Sequence, residues 1–275
     1  ELYTERPMVH LRLLKYRTFA AATFLSIVLF FVLYGSILLL PLFMQEILNF
    51  PAITAGVWNC PRGVVTMMLM PLVGFLIGRR WDMRALLFSG ILVSAVGVLT
   101  FSFLDLNAGP SNFLWPQIIM GAGLAFVFVP YSTISVDPIP NEEMGFATSI
   151  TGLTRNIGAS FGISIAATLL ARRDQIHQDR LVAHANPTNL SFERLLATLQ
   201  GNFIRDGYSF SRAGGQALGE IYRMIQHQAS VLSYLDSFRI LAALFVLVAP
   251  LVWIMRKPHF KTERSAGKAA AGDAS

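Results

Sequence analysis

The stretch TSITGLTRNIGASFGISIAATLL (148–170) is long enough to cross a bilayer, yet it carries an arginine, Arg155, about a third of the way along. Roughly 20 apolar residues in a helix span the hydrocarbon core, which is about 30 Å thick. A span that begins near Gly145 places Arg155 roughly 15 Å inside the membrane. A central arginine costs about 2.5 to 3.5 kcal/mol on insertion scales, so we expect it to face another helix or a water-filled cavity.

The whole chain has the composition of a membrane protein. Of its 275 residues, 54% are hydrophobic and 14% are charged, and the mean hydropathy is +0.54. Soluble domains carry about 25% charged residues. We therefore predict an all-α membrane protein with six transmembrane helices. The predicted spans are residues 18–40, 52–78, 85–104, 113–136, 145–171 and 234–255.

Basic residues alternate between the connections of these spans. Residues 1–17, the turn 79–84 and the tail 256–275 are basic, whereas 43–51 and 105–112 carry no lysine or arginine. The positive-inside rule therefore predicts that both ends of the chain are cytoplasmic. The first of these segments mixes basic and apolar residues, as a helix at the membrane interface does. The tail has the composition of a disordered segment.

A polar and charged segment, residues 172–233, separates the last two predicted spans. Long loops cross the membrane largely regardless of their charge, and we predict that this one is extracytoplasmic. Within it, residues 215–238 have apolar side chains at helical spacing and are expected to run as a helix into the last span. The chain begins with Glu1 and its opening segment lacks the features of a signal peptide, so we expect a fragment of a longer protein.

Small residues share the helix face of Arg155, because Gly158, Gly162 and Ala166 follow it at helical spacing. Such spacing allows a second helix to approach closely. One interpretation is that Arg155 caps this packing seam and is held by a carbonyl or carboxylate. The other is that it serves a substrate or ion pathway. The predicted packing glycines are Gly158, Gly162, Gly74 and Gly78.

The second predicted span also carries an arginine, Arg62, which lies between Pro61 and Gly63. Taking 52–78 and 145–171 as the spans, each arginine is the eleventh residue of its element. These elements are the second members of successive triplets of spans, which is the plan of a 3+3 inverted repeat. We predict that both arginines face one cavity from opposite leaflets.

Further polar residues within the spans are candidates for the cavity wall, although such residues more often form hydrogen bonds between helices. They are Tyr34, Asn59, Gln117 and Tyr131. The aromatic runs 31–34 and 126–131 are candidates for an apolar pocket. No carboxylate lies in the interior of a predicted span, because Asp236 is near the start of the last one. No catalytic motif or metal-ligand spacing occurs. We therefore predict no enzyme, no cofactor and no metal site.

Six stretches in order resemble the fourteen-span drug:proton antiporters of the major facilitator superfamily, the EmrB/QacA type. They include CPRGVVTMMLMPLVGFLIGRRWDMR (60–84), PQIIMGAGLAFVFVPYSTIS (116–135) and ATSITGLTRNIGASFGISIA (147–166). The resemblance implies the carboxy-terminal six-helix bundle of that fold. The amino-terminal bundle, with the acid that couples transport to protons, would be missing from this chain. The resemblance also implies a cytoplasmic loop motif formed by Arg79, Arg80, Asp82 and Arg84.

The function implied by the resemblance is proton-coupled efflux of amphipathic or lipophilic compounds by alternating access, in the inner membrane of a bacterium. The implied partners are the lipid bilayer, the chain's own amino-terminal bundle, and possible contacts of 172–233 with a periplasmic adaptor and an outer-membrane tunnel protein. Nucleic acid is not an expected partner. Two alternatives remain open, namely an exporter of a siderophore or metabolite and a six-span interaction subunit that transports nothing.

Overall fold

A computed structural model describes residues 17–104, 109–136, 139, 143–185 and 189–254. These residues form seven α-helices: α1 (Arg17–Leu42), α2 (Ala52–Gly78), α3 (Met83–Phe101), α4 (Leu114–Val136), α5 (Met144–His184), α6 (Leu190–Arg205) and α7 (Phe210–Val248). A π-helical turn, Phe43–Ile47, extends α1, and 3₁₀ turns precede α4 and follow α7. The interfacial segment, most of the loop 137–144 and the tail that were predicted from the sequence lie outside the described residues.

Five stretches of the described helices are long and apolar enough to cross a membrane, so the chain is an all-helical, multi-pass membrane protein. They are Phe19–Ile47, Ala52–Gly78, Met83–Phe101, Pro110–Ser135 and Phe210–Trp253. The helix α5 is not among them, because Arg155 and Asn156 interrupt its apolar part and its last turns are charged. The predicted span 145–171 therefore stays a prediction.

The limits of α2 and α3 have local causes. Pro51 precedes α2 with φ −55°, a backbone angle that suits the start of a helix. After α2, Arg80 adopts φ 65° in the left-handed region that commonly ends a helix. Asp82 then caps α3, since its carboxylate accepts a hydrogen bond from the backbone N–H of Arg84 at 3.1 Å. The basic turn 79–84 is thus a compact link between two antiparallel helices.

Most of the segment predicted as a loop, residues 172–233, is helical. The helix α5 continues beyond Ala171 to His184, α6 follows, and α7 already begins at Phe210. With 41 residues, α5 is about 60 Å long, well beyond the membrane thickness. Hydropathy ends the predicted span at Ala171 because the next residues are charged, but such residues are compatible with a helix. We call the end of the bundle that carries α6 the α6 end.

Two pairs of helices run side by side in the same direction. Gly158 of α5 lies against Ile27 of α1, and Gly162, one turn later, lies against Phe31. The two helices therefore run in the same direction. The helices α2 and α4 pack in the same parallel manner, whereas α3 packs antiparallel to α4 and also contacts α7. Each of the parallel pairs joins a helix of the first triplet to one of the second.

The helix α2 is the least covered of the candidate spans. Only 6% of its apolar window is buried, against 44% or more in the other four. Large apolar side chains on the uncovered face of α2 include Val64, Met67, Met68, Leu72 and Phe75. The helix α5 also exposes apolar side chains, among them Leu153, Ile157 and Phe161. Both helices therefore present apolar faces that the described chain does not cover.

Candidate functional site

The polar residues that the sequence singles out fall into two groups, of which the first surrounds Phe30. The ring of Phe30 lies 6.3 Å from Tyr34, 6.0 Å from Phe128 and 6.4 Å from Tyr131, measured between ring centroids. The guanidinium carbon of Arg155 lies 5.9 Å from the Phe30 centroid. At this distance the ring face attracts the cation. We call these five residues the Phe30 cluster, which brings α1, α4 and α5 together.

No oxygen atom of the described residues accepts a hydrogen bond from Arg155, whose side chain is exposed. The hydroxyl of Tyr131 lies within electrostatic reach of Arg155 and close to Ser26, although it makes no hydrogen bond of ordinary geometry. The interpretation in which a carbonyl or carboxylate holds Arg155 thus finds no support in the described part of the chain. The contact that the guanidinium makes there is with the ring of Phe30.

The glycines that follow Arg155 line a close contact between backbones. A Cβ added at Gly158 would lie 2.4 Å from the carbonyl oxygen of Ile27, and one at Gly162 would lie 2.2 Å from that of Phe31. Real Cβ atoms do not approach so closely, so α5 needs glycine at both positions. Gly74 and Gly78 differ, because no atom of the described residues lies within 4 Å of an added Cβ. Both glycines are exposed on α2, and no other helix of the described residues packs against them.

The second group follows the contact between α2 and α4, which we call the α2–α4 seam. The side-chain amide of Gln117 donates a hydrogen bond to the Asn59 side-chain oxygen at 2.7 Å. About one turn further along, the Arg62 guanidinium reaches the sulfur of Met120 at 3.9 Å, its only acceptor among the described residues. The side-chain oxygen of Gln117 is buried and has no hydrogen-bond partner there. Arg62 is half-buried, and no acidic side chain of the described residues forms an ion pair with it.

The structure does not bring the two groups into contact. Within the described ranges, no hydrogen bond, ion pair or ring contact joins the Phe30 cluster to the α2–α4 seam. Arg62 lies roughly 15 Å from the start of α2 at the α6 end, and Arg155 lies about as far from the start of α5 at the opposite end. A cavity shared by both arginines stays a prediction.

The basic turn at the end opposite α6 has side chains with different surroundings. The Arg79 guanidinium lies over the Phe75 ring, 5.1 Å from its centroid. Arg80 is exposed, and Arg84 has a buried Nε atom without a partner among the described residues. Asp82 caps α3. The turn thus combines helix termination with a positive surface.

Sequence reasoning missed residues that the fold brings to these contacts. Phe30, the centre of its cluster, has no polar group that would distinguish it from the neighbouring phenylalanines. Thr66 donates a hydrogen bond to the Gly121 carbonyl oxygen at 2.9 Å. Thr66 follows Arg62 by four residues and shares its helix face, so helical spacing could have identified it.

Charged side chains join α5 to α7 near the α6 end, where Asp236 lies near the start of the predicted span 234–255. Asp236 accepts from Arg173 at 3.5 Å, from His177 at 3.0 Å and from Arg239 at 3.4 Å. A group of three or more His, Cys, Asp or Glu side chains suited to a metal ion does not occur in the described ranges. The contacts of Asp236 with Arg173 and His177 join α5 to α7, whereas its pair with Arg239 lies within α7.

Comparison with known proteins agrees with this architecture. The family model described as Major Facilitator Superfamily matches residues 4–163. The Multidrug export protein EmrB of Escherichia coli strain K12 is 29% identical over 261 residues, which cover 94% of this chain and 49% of that protein. The Fatty acid resistance protein FarB of Neisseria gonorrhoeae is 30% identical over 260 residues, with coverage of 94% and 49%.

The Probable multidrug resistance protein EmrY of E. coli K12 is 31% identical over 264 residues, again 94% of this chain and 49% of that protein. The chain spans about half the length of the curated relatives it matches. The family match covers more than half of the chain and includes the helices α1 to α4 and the glycine contact of α5. The chain therefore belongs to the major facilitator superfamily, a family of membrane transporters and not of enzymes.

Proposed function

We propose that this chain forms the carboxy-terminal half of a proton-coupled exporter of amphipathic or lipophilic compounds. The observation that carries the proposal is the pair of parallel contacts, α1 with α5 and α2 with α4. Suppose that α1, α2 and α3 form one repeat and that α4, α5 and α7 are their counterparts in the second repeat. The counterpart of the α1–α5 contact is then the α4–α2 contact, and both contacts are present. A 3+3 inverted repeat has this property. In this arrangement α5 is the fifth of six membrane crossings in spite of its arginine.

The exporter needs a second bundle, which covers the apolar faces that α2 and α5 expose. The cargo cavity lies between the bundles, with Arg62 and Arg155 facing it from opposite ends. An acid of the second bundle, or an acidic group of a cargo, supplies the counter-charge that neither arginine has among the described residues. The proposed cavity wall also includes Tyr34, Asn59, Gln117 and Tyr131. The acid that couples export to protons belongs to the second bundle.

The names of the relatives support export of lipophilic compounds, since EmrB is named for multidrug export and FarB for fatty acid resistance. Those names describe whole proteins, of which this chain matches about half. Export of another small molecule, such as a siderophore or metabolite, is the nearest alternative. A six-span subunit that recruits partners without transport is the second alternative.

The proposed location is the inner membrane of a bacterium, with both ends of the chain in the cytoplasm. The positive turn 79–84 supports this orientation, because short cytoplasmic loops are rich in arginine and lysine. The α6 end is then extracytoplasmic. The extension of α5 together with α6, which exposes Leu190, Leu195 and Ile204, is the proposed contact with a periplasmic adaptor that leads to an outer-membrane tunnel protein. The turn 79–84 is the proposed cytoplasmic latch.

Transport in inverted membrane vesicles tests the proposal. Vesicles containing the full-length protein should take up a fluorescent lipophilic cation when an inward-acidic proton gradient is imposed. Arg155→Ala should reduce uptake to the level of vesicles without the protein, while the variant remains inserted at normal abundance. The matched control is Arg172→Ala, which removes an exposed arginine further along the same helix and should preserve uptake.

The outcomes separate the alternatives. Uptake that persists unchanged in Arg155→Ala would remove this residue from the mechanism. Absence of gradient-driven uptake by the unmodified protein, for lipophilic compounds and for small polar metabolites alike, would favour the interaction subunit.

A further inference from the structure

A cavity of about 490 Å³ lies at the α6 end, between the end of α1, the middle of α5 and the first half of α7. Its volume falls within the roughly 300 to 1,000 Å³ of sites that bind small molecules. One part of its wall is apolar and includes Leu42, Ile47 and Leu170. The remainder is polar, so the cavity offers both surfaces that an amphipathic ligand needs.

Two carboxylates from different elements enter this cavity. Glu46 belongs to the π-helical turn after α1, and its carboxylate accepts a hydrogen bond from the Tyr234 hydroxyl at 2.8 Å. Asp174 belongs to α5, and its carboxylate accepts a hydrogen bond from the Ser230 hydroxyl at 2.8 Å. These hydroxyls orient one oxygen of each acid. The second oxygen of each accepts no hydrogen bond from the described residues and remains available.

The basic side chains near these acids have other partners. Arg223 lines the cavity but forms an ion pair with Glu220 on its own helix. His227 directs its Nε2 atom to the carbonyl oxygen of Ile47 at 3.1 Å, where it donates a hydrogen bond. The cavity therefore has an excess of negative charge beside an apolar wall.

We propose that this cavity binds an amphipathic organic cation, with its apolar body against Leu42, Ile47 and Leu170 and its charge between Glu46 and Asp174. Carboxylates and apolar surface together recognise this class of ligand. The site is separate from the Phe30 cluster and the α2–α4 seam. Its role as an exit site for exported cations rests on the proposed function, whereas binding itself does not.

Equilibrium dialysis with tetraphenylphosphonium tests the proposal on the full-length protein in detergent. The double variant Glu46→Gln/Asp174→Asn should weaken binding by at least about tenfold, because both charge contacts are lost. The matched control is Asp179→Asn, which makes the same chemical change at an exposed site on α5 and should leave binding unchanged. The neutral compound triphenylphosphine oxide should bind more weakly than tetraphenylphosphonium to the unmodified protein.

A second measurement keeps both acids and locates the ligand. Ala171 lines the cavity, so Ala171→Cys in a background from which Cys60 and any other cysteine of the full-length protein have been removed provides a single thiol for a water-soluble methanethiosulfonate reagent. Tetraphenylphosphonium should slow labelling of this thiol. The proposal is overturned if the unmodified protein does not bind the cation, if the double variant binds it equally well, or if labelling is not slowed. Binding without gradient-driven uptake in vesicles would instead contradict the proposed function alone.

Discussion

Replacing Gly162 with alanine should separate α1 from α5. An added Cβ would lie 2.2 Å from the carbonyl oxygen of Phe31, which is 0.8 Å short of the 3.0 Å below which real Cβ contacts essentially do not occur. The next nearest atoms are also backbone atoms of Phe31, so no side-chain rotation can relieve the clash. The two helices must therefore move apart along their closest contact.

The magnitude follows from two opposing terms. Overpacking a close contact costs about 1 to 3 kcal/mol. Alanine in place of glycine within a helix stabilises the folded state by roughly 0.5 to 1 kcal/mol. We expect a net destabilisation of about 0.5 to 2 kcal/mol for Gly162→Ala, which is a factor of about 2 to 30 in the folding equilibrium.

Gly152→Ala is the matched control, because it lies on the same helix and an added Cβ meets nothing within 4 Å. Only the helix preference acts there, so this variant should be as stable as the unmodified protein or slightly more stable. Unfolding of the purified full-length protein by increasing fractions of sodium dodecyl sulfate measures both effects. Equal stability of Gly162→Ala and Gly152→Ala would refute the close contact of α1 with α5.

Two further predictions concern polar contacts between helices. Asn59→Ala should destabilise the α2–α4 seam by about 1 to 3 kcal/mol in the same unfolding assay, because the buried Gln117 amide loses its acceptor. Adding Gln117→Leu should recover most of that loss, and a double variant as unstable as Asn59→Ala would contradict the reasoning. Asp236→Asn should lower stability by less than about 1 kcal/mol, because its pairs with Arg173 and His177 are partly exposed. That difference should shrink at high salt, and a loss independent of salt would argue against an ionic contact.

The sequence predicted well where hydropathy and local chemistry act alone. The predicted stretch 52–78 and helix α2 have the same limits, because Pro51 precedes the helix and Arg80 ends it with a left-handed backbone. The stretch from Gly158 to Gly162 was expected to contact another helix, and both glycines lie against the backbone of α1. Spacing along one helix is enough for such predictions.

Contacts between distant segments could not be read from the sequence. Glu46 and Tyr234 are 188 positions apart, and only the packing of α1 against α7 makes them partners. The continuation of α5 to His184 was missed because hydropathy measures compatibility with lipid and not helix length. The partners of Arg62 and Arg155 could not be named either, since sulfur and aromatic contacts leave no polar signal in the sequence.

We propose that positions 62 and 155 face a water-filled cavity from opposite ends of the bundle. Labelling of single cysteines by a membrane-impermeant thiol reagent measures this directly in the full-length protein, with Cys60→Ser removing the exposed native thiol. We expect Arg62→Cys to react with reagent supplied at the α6 end and Arg155→Cys to react with reagent supplied at the opposite end. Either cysteine remaining unreactive from both sides, with and without a proton gradient, would contradict it.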